Sequence, residues 1–591
     1  MIGALVATVS KDHRGLDEAE LLRRLSVGKV GPKQPHRVYR WGSLAVAVAR
    51  HPLAPPGIGS FNPAWVNNAR YCAFFWGRLD RSSPPLEPAL QQILDLGPQA
   101  AGSLAGDFVI VLADHQNAEL TVIRDPLGNR SAFWTTENCG QWIATDEQCL
   151  WPAKARPDPH YMASFFAAQT PPITATPIAG VNTLAPGHWI KLTPSRVQSP
   201  RRYWQFTYDR RARCLNPEHA ASAMREHLAA AVNERVSGDE AIAISGGMDS
   251  TAIAAVGRFD QALTYQLTDW PQCQEHELAI TACKHLDVPL ETVNCDQAAP
   301  LSDAFLSTPG VSPGPEIDAY RAMRWAMAQA VTRSGRTGLV TGDFADQLYL
   351  GYPYGLRDSF RHQPWSSLKA AAGRLRDSPA FWRDPLLRRI GPANGISRGW
   401  RQQTRPWLTD DANDLLGRGD RSHPFYGRLA QVDRIEGCLN AATARASHLG
   451  YLQGLRWGVE YRLPYRQQAL VQWMLSLSAD NWLDPISGQT KPVMRRAMAP
   501  LLPAQVVDRA DKTSLEPWFR HAVLSAHRGQ IRERLSENTQ WQTYVCRHWL
   551  NERWRRADWD GTKLYVLWCC ISMTHWINDG FELESLARQC K

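Results

Sequence analysis

Two short stretches carry residue types whose spacing could do chemistry. In ISGGMDS, residues 244–250, an apolar run ends, two glycines follow, and TAIAAV opens a helix. Glycines at such a junction let successive backbone N–H groups turn toward one anion, and the helix N-terminus adds its positive dipole. Ser245 and Ser250 place hydroxyl donors around Gly246 and Gly247. Asp249 is the odd member, because a carboxylate beside phosphate is repulsive unless a cation lies between them, which is the chemistry of a Mg²⁺ ligand. The plain alternative is an ordinary helix cap from Ser245 or Asp249. In the second stretch, LVTGDFADQLYLGYP at 339–353, Thr341 and Gly342 allow close backbone approach after a strand, and Asp346 offers a second carboxylate to the same ion.

The surrounding pattern says which elements must hold these loops. From about residue 215 helical and strand-like runs alternate: PEHAASAMREHLAAAVNERV, AIAIS, TAIAAVGRF, LTYQLT, EHELAITACKHL, LETVN. That alternation predicts a parallel, doubly wound sheet, and such sheets bind ligands at the carboxyl ends of their strands. Residues 1–205 instead show short strand-like runs such as YCAFFWG, GDFVIVLAD, AELTVIRD and GHWIKL between turn residues, so this half reads as β-rich. The stretch 355–425, rich in Arg, Pro, Gly and Trp, reads as an elaboration on the α/β core, and helical patterns dominate beyond it.

Composition removes several classes. MIGALVATVS reads as a buried first strand, with no basic residues ahead of it to make a signal peptide, and no run approaches the roughly 18 apolar residues of a membrane span. A cytoplasmic location is expected. The 12 cysteines lack framework spacing and read as reduced thiols used as small core residues; Cys273, His276 and Cys283 come near a metal-ligand spacing, but no second pair completes it. The net charge of +9 is spread along the chain, and a phosphate-bearing small substrate suffices to use it; no nucleic-acid partner is indicated. Many of the 24 tryptophans, among them Trp457, Trp473, Trp568 and Trp576, fall on apparent amphipathic helices, where core packing explains them better than base stacking.

With both loops placed, the chain resembles the asparagine synthetase B superfamily nearly end to end. SGGxDS is similar to the pyrophosphatase loop of ATP-cleaving, adenylating enzymes, which lacks the lysine of a Walker loop. GRLD (77–80), LAGDFVIVLAD (104–114), RDPLGNR (124–130), IATDEQCL (143–150) and GVNTLAPGHWIKL (180–192) resemble the family's glutamine amidotransferase domain. ISGGMDS, TGDFAD and GVEYRLPY (458–465) resemble its synthetase domain. The resemblance implies an α+β, Ntn-hydrolase-like sandwich over 1–205, joined to an α/β adenine-nucleotide α-hydrolase-like (PP-loop) domain with helical extensions over 206–591. The family's glutaminases use a cysteine at the mature N-terminus. Here Ile2 follows Met1 and the nearest thiol is Cys72, so glutamine hydrolysis is expected to be absent and the first domain to serve as scaffold.

Superfamily members without that cysteine join a carboxylate to an amine already present in the substrate. Among them TKPVMRRAMAPLLPAQVVDRADKTSLEPWF, 490–519, looks most like the lasso peptide cyclases, the macrolactam synthetases of lasso peptide (RiPP) biosynthesis. That resemblance implies adenylation of an Asp or Glu side chain of a leader-cleaved core peptide by ATP and Mg²⁺. An isopeptide ring then closes on the peptide's N-terminal amine, with a leader peptidase and a leader-recognition protein as partners. By motif position Ser245, Gly246, Gly247, Asp249 and Ser250 would bind pyrophosphate, and Asp249 and Asp346 the metal. Ala243, Leu267, Thr341 and Gly342 would contact the nucleoside, and Lys512 would stabilise developing negative charge.

Where β-lactam synthetases place a tyrosine after the glycine of the second loop, this chain has Asp343, read either as a base or as a turn cap. Glu460 and Arg462 read as a buried ion pair, and Glu275 as a helix-face residue. The alternatives are a small-molecule amide or β-lactam synthetase, an ammonia-dependent asparagine-type synthetase, or a degenerate peptide-binding scaffold. The intact Asp249, Asp346 and Lys512 speak against the last.

Overall fold

The computed structural model describes residues 2–11, 17–28, 35–53, 65–67, 70–309, 313–349, 405–417, 438–478, 481–482, 489–509 and 513–580. The N-terminal half is a sandwich of two six-stranded antiparallel sheets. One contains β1 (Ile2–Ser10), β2 (His36–Trp41), β3 (Leu44–Arg50), β8 (Phe133–Glu137), β9 (Gly140–Ala144) and β10 (Asn182–Thr183), in the order β10-β8-β9-β1-β3-β2. The other contains β4 (Trp65–Asn67), β5 (Tyr71–Leu79), β6 (Gly106–Asp114), β7 (Glu119–Arg124), β11 (His188–Leu192) and β12 (Arg201–Arg202), in the order β12-β11-β7-β6-β5-β4.

Strand periodicity explains why GDFVIVLAD is apolar throughout. Val109, Val111 and Ala113 face the inter-sheet core with Phe74 and Trp76, while Phe108, Ile110 and Leu112 face Leu90 and Ile93 of the helix Leu86–Leu96 on the outer side. A strand covered on both faces has no solvent side on which to place polar residues.

The second half is built on a five-stranded parallel sheet, with β13 (Glu240–Ala243), β14 (Ala262–Gln266), β15 (Leu290–Asn294), β16 (Gly338–Val340) and β17 (Glu460–Arg462) in the order β15-β14-β13-β16-β17. The chain steps outward from β13 through β14 to β15, then returns to β13's other side with β16. The order therefore reverses at β13, where a doubly wound sheet opens its crevice. ISGG leaves β13 at this point and TGD leaves β16, in register through Ile242 opposite Val340. The C-terminal runs form the helices Gln468–Ser476, Pro492–Met498 and Gly561–Gly580. Most of 355–425 lies outside the described residues. Within 405–417, Arg405 and Trp407 donate to the carbonyls of Ala167 and Phe166. No helix among the described residues is long and apolar enough to cross a membrane.

The halves meet through buried polar residues from the motifs singled out above. Arg235, at the end of the helix Pro217–Arg235, pairs with Asp107 and lies 3.5 Å from Asp80. Asn129 donates to Asp107 (2.6 Å) and accepts from Arg466 Nε (2.7 Å), while Arg466 Nη2 donates to the Leu127 carbonyl (2.6 Å). Asp125 accepts from the N–H groups of Leu127, Asn129 and Arg130, which shapes the DPLGNR turn. The helix Gly561–Gly580 crosses the same seam, its Tyr565 hydroxyl donating to the Phe165 carbonyl at 3.0 Å.

His51 belongs to this seam. Its Nδ1 accepts from Leu53 N–H, so Nε2 carries the proton and donates to the Tyr451 hydroxyl at 3.1 Å. Burial, reinforced by Arg130 and only partly offset by Glu460, pulls its pKa down to about 4. Between that value and the ordinary one near 6.5 the unfolded state binds more protons, so stability falls as pH falls across this window, by about 3 kcal/mol in all. His51→Gln is expected to flatten this part of the stability profile, measured by urea denaturation across the same window. An unchanged slope would show that His51 does not set it.

Candidate active site

A cavity of about 820 Å³ opens at the carboxyl end of the parallel sheet. Ala243, Ser245, Gly246, Gly247, Asp249, Ser250, Thr341, Gly342, Asp343 and Asp346 all line it. Leu267 does not. β14 ends at Gln266, so its Tyr265 reaches the cavity while Leu267 turns into the core, fully buried. Lys512 lies outside the described residues, but Arg509 and Thr513 on either side of it line the cavity.

The loop after β13 is pre-shaped. Gly247 is the N-cap of the helix Met248–Val256 and no side chain caps it, so the alternative of capping by Ser245 or Asp249 does not hold. Ser245 Oγ instead accepts from Gly247 N–H (3.2 Å), and Ser250 Oγ from Ser245 N–H (3.2 Å). Tyr465 of the GVEYRLPY motif is fully buried and donates to the Asp249 carbonyl at 2.8 Å. The uncapped first turn leaves backbone donors for an anion.

The two glycines have different duties. Gly246 has φ +88°, and a Cβ there would come within 2.6 Å of the Glu275 carbonyl oxygen and 2.9 Å of Ala279 N. Gly247 has φ −74°, and its Cβ would meet only the side chains of Glu275 and Ser245, at 3.2 and 3.3 Å. Gly246→Ala is therefore expected to lower AMP formation about 100-fold or more by displacing the loop, and Gly247→Ala to cost far less. Equal losses in an AMP-release assay would refute the distinction. Gly342 serves the contact between loops, since its Cβ would lie 2.9 Å from Ser250 N.

Asp249 and Asp346 do converge, and what they converge on is Lys491. Its ammonium lies 2.7 Å from both oxygens of Asp249 and 2.7 Å from Asp346 Oδ1. Lys491 is 8% exposed and sits in the left-handed region, φ 59°, immediately before Pro492. Two hard carboxylate donors facing one cationic point suit Mg²⁺. Among the described residues no group of three or more His, Cys, Asp or Glu could hold a metal. An ion here would have to complete its shell with phosphate oxygens and water, as nucleotide-borne Mg²⁺ does.

Several residues of this cavity were not legible as site residues. Glu275, read as a helix-face residue, borders Gly247, pairs with Arg509 (2.8 Å) and accepts from Thr513 N–H (3.2 Å). A lysine at a helix N-terminus, where the dipole disfavours it, was the available signal for Lys491. Asp343 is neither a free base nor a simple cap. Burial opposes its charge, but Arg324, 3.2 Å away, and a 2.9 Å hydrogen bond from Thr341 Oγ1 outweigh it and hold the carboxyl below its usual range. A carboxylate so held is a weak base. Glu460 and Arg462 form the expected ion pair at 2.8 Å, with Arg462 also 3.3 Å from Glu240.

Other stretches of the wall are aromatic and apolar, formed by Tyr320, Met323, Met327, Phe519, Leu564 and Trp568. Tyr320 stacks on Trp518 and meets Phe519 edge to face, and Phe519 packs similarly on Trp568.

A phosphate-type loop at the switch point of a parallel sheet, joined to a double-sheet sandwich, defines a two-domain amidotransferase–synthetase architecture. The chain belongs to the asparagine synthase family, whose model matches residues 223–578, and a glutamine amidotransferase domain model matches 81–204. Among curated proteins it is similar to the amidase Chry2 of Gibberella zeae, 27% identical over 281 residues that cover 44% of this chain and 41% of that protein. The amidase ChyE of Penicillium rubens is 25% identical over the same shares. The chain thus spans about two fifths of the length of the curated relatives it matches. Among solved structures, the glutamine phosphoribosylpyrophosphate amidotransferase from B. subtilis complexed with ADP and GMP aligns at 11% identity over 57% of this chain and 74% of that one, with a TM-score of 0.24, too distant to bear on the site.

Proposed function

We propose that the protein is an ATP-dependent, AMP-forming carbon–nitrogen ligase that closes a macrolactam in a lasso-type core peptide. Family membership supports ATP use and amide formation. A substrate carboxylate attacks the α-phosphorus and pyrophosphate leaves; the peptide's own amine then attacks the acyl carbon, AMP leaves and one proton is released. Mg²⁺ would neutralise phosphate charge between Asp249 and Asp346. Gly246, Gly247, Ser245 and Ser250 hold the pyrophosphate portion, Tyr465 fixes the Asp249 backbone, and Glu275 holds Arg509 against the loop. Holding both reacting ends of one peptide is an entropic task worth up to roughly 7–11 kcal/mol when the atoms are aligned.

The observation that carries the peptide reading is the aromatic wall of the cavity, a surface that a small polar amino acid would leave uncovered. The curated relatives are named amidases, which points to amide chemistry without a macrolactam, and a small-molecule amide is the second reading. Incubating the protein with ATP and candidate core peptides, then recording mass spectra, separates the two. Loss of one water with AMP formed is the expected result. AMP formation with ammonia or a small amino acid, and none with peptide, would sink the peptide reading. Asp249→Ala is expected to abolish AMP release with every substrate, and turnover retained in that variant would exclude the loop as the activating site.

A further inference from the structure

Two charged clusters of different balance border the cavity. Beside the loop after β13, Lys491, Arg495 and Arg509 stand among Asp249, Asp346 and Glu275. Beside the loop after β16, Arg324 is the cation of a cluster with Asp343 (3.2 Å) and Asp318 (2.9 Å), so the cluster is net negative. Tyr461 lines the cavity near this second cluster. It lies on β17 opposite Leu339 of β16, and its ring packs where a Cβ on Gly454 would meet it at 2.6 Å. Its flanking residues Glu460 and Arg462 point to the sheet's other face, into their own ion pair.

The Tyr461 hydroxyl is buried without a hydrogen-bond partner. Among the described residues it is the one such side-chain oxygen or nitrogen on a residue lining the cavity. A buried hydroxyl left unsatisfied destabilises the fold, and one at a cavity wall is satisfied when a ligand arrives. Burial raises the phenol's pKa, with Arg324 opposing the rise and Asp343 and Asp318 adding to it, so the phenol stays neutral and keeps both its O–H donor and its acceptor oxygen. A neutral acceptor beside a net negative cluster suits an amine, whose N–H groups need acceptors and whose protonated form the cluster attracts.

We propose that Tyr461 is a positioning residue for the attacking amine, its phenolic oxygen accepting an N–H hydrogen bond while Asp343 and Asp318, bridged by Arg324, draw the amine toward it. In the transfer step the amine nitrogen bonds to the acyl carbon, the bond from that carbon to the AMP oxygen breaks, and one N–H proton passes to water. Tyr461 takes no proton. The inference rests on the ligase reading, and it does not depend on whether the amine belongs to a peptide.

Tyr461→Phe tests it on whichever carboxylate substrate the wild-type protein turns over, core peptide or small amino acid; the wild-type result alone decides between the two readings of function. The variant is expected to retain substrate-dependent ATP–pyrophosphate exchange within twofold, and to lose amide product at least tenfold. Hydroxylamine, a small nucleophile that needs no positioning, should form hydroxamate at the wild-type rate. The melting temperature should hold or rise, because an unsatisfied hydroxyl has been removed. Asp343→Asn should show the same split between exchange and transfer, so the idea does not hang on one variant. Product formation within twofold of wild type, or exchange and transfer falling together, would overturn it.

Discussion

Lys491→Met is expected to lower AMP release by about 100- to 1,000-fold, the usual cost of removing one preorganised charge from a reacting centre. The variant loses the ammonium that Asp249 and Asp346 share at 2.7 Å, and two carboxylates from separate loops then repel at short range. A second outcome distinguishes this from simple unfolding. With its ammonium gone, the carboxylate pair becomes a better host for a divalent cation, so Mg²⁺ without nucleotide should raise the melting temperature of Lys491→Met more than that of the wild type. Equal Mg²⁺ responses, or AMP release near the wild-type rate, would show that Lys491 only fills space.

Arg235→Met should be the most damaging change outside the cavity, costing about 3–5 kcal/mol, because it strands buried carboxylates without their cation. Asp107 is 6% exposed and Asp80 2%, and both face Arg235. In the wild type, burial would raise the Asp107 pKa, yet Arg235, Arg130 and Arg78 outweigh burial and depress it. That contribution is complete above the unfolded carboxyl pKa and is lost as pH falls toward the folded one. In the variant the sign reverses: a stranded carboxyl titrates above its unfolded value, so lowering the pH toward about 4 should shrink the deficit. Adding Asp107→Asn to Arg235→Met should recover part of the loss in denaturation curves, and strict additivity would argue against the pair.

Reading these residues from the chain alone succeeded where the chemistry was local. ISGGMDS holds its glycines, hydroxyls and carboxylate within seven residues, so the loop could be recognised by composition and order. The alternation that predicts a parallel sheet was equally visible, because each strand-helix pair is contiguous. Lys491 was not visible in that way, since its partner Asp249 lies 242 residues earlier and nothing local requires them to meet. Asp343 was ambiguous for a related reason: Arg324, the larger of the two influences that hold its carboxyl down, belongs to another element. Leu267 follows from motif position alone, and its side chain, one residue past the end of β14, packs into the core and does not line the cavity.

The helix Gly561–Gly580 presents Leu564, Tyr565 and Trp568 to the cavity and anchors itself through Tyr565 to Phe165 of the sandwich. The first half is therefore one side of the mould in which the substrate wall is cast. Deleting the sandwich should not release a working synthetase, because the helix would lose its backing and the aromatic wall its shape. The same bracing couples the two halves mechanically, so heat should unfold them in one cooperative event instead of two.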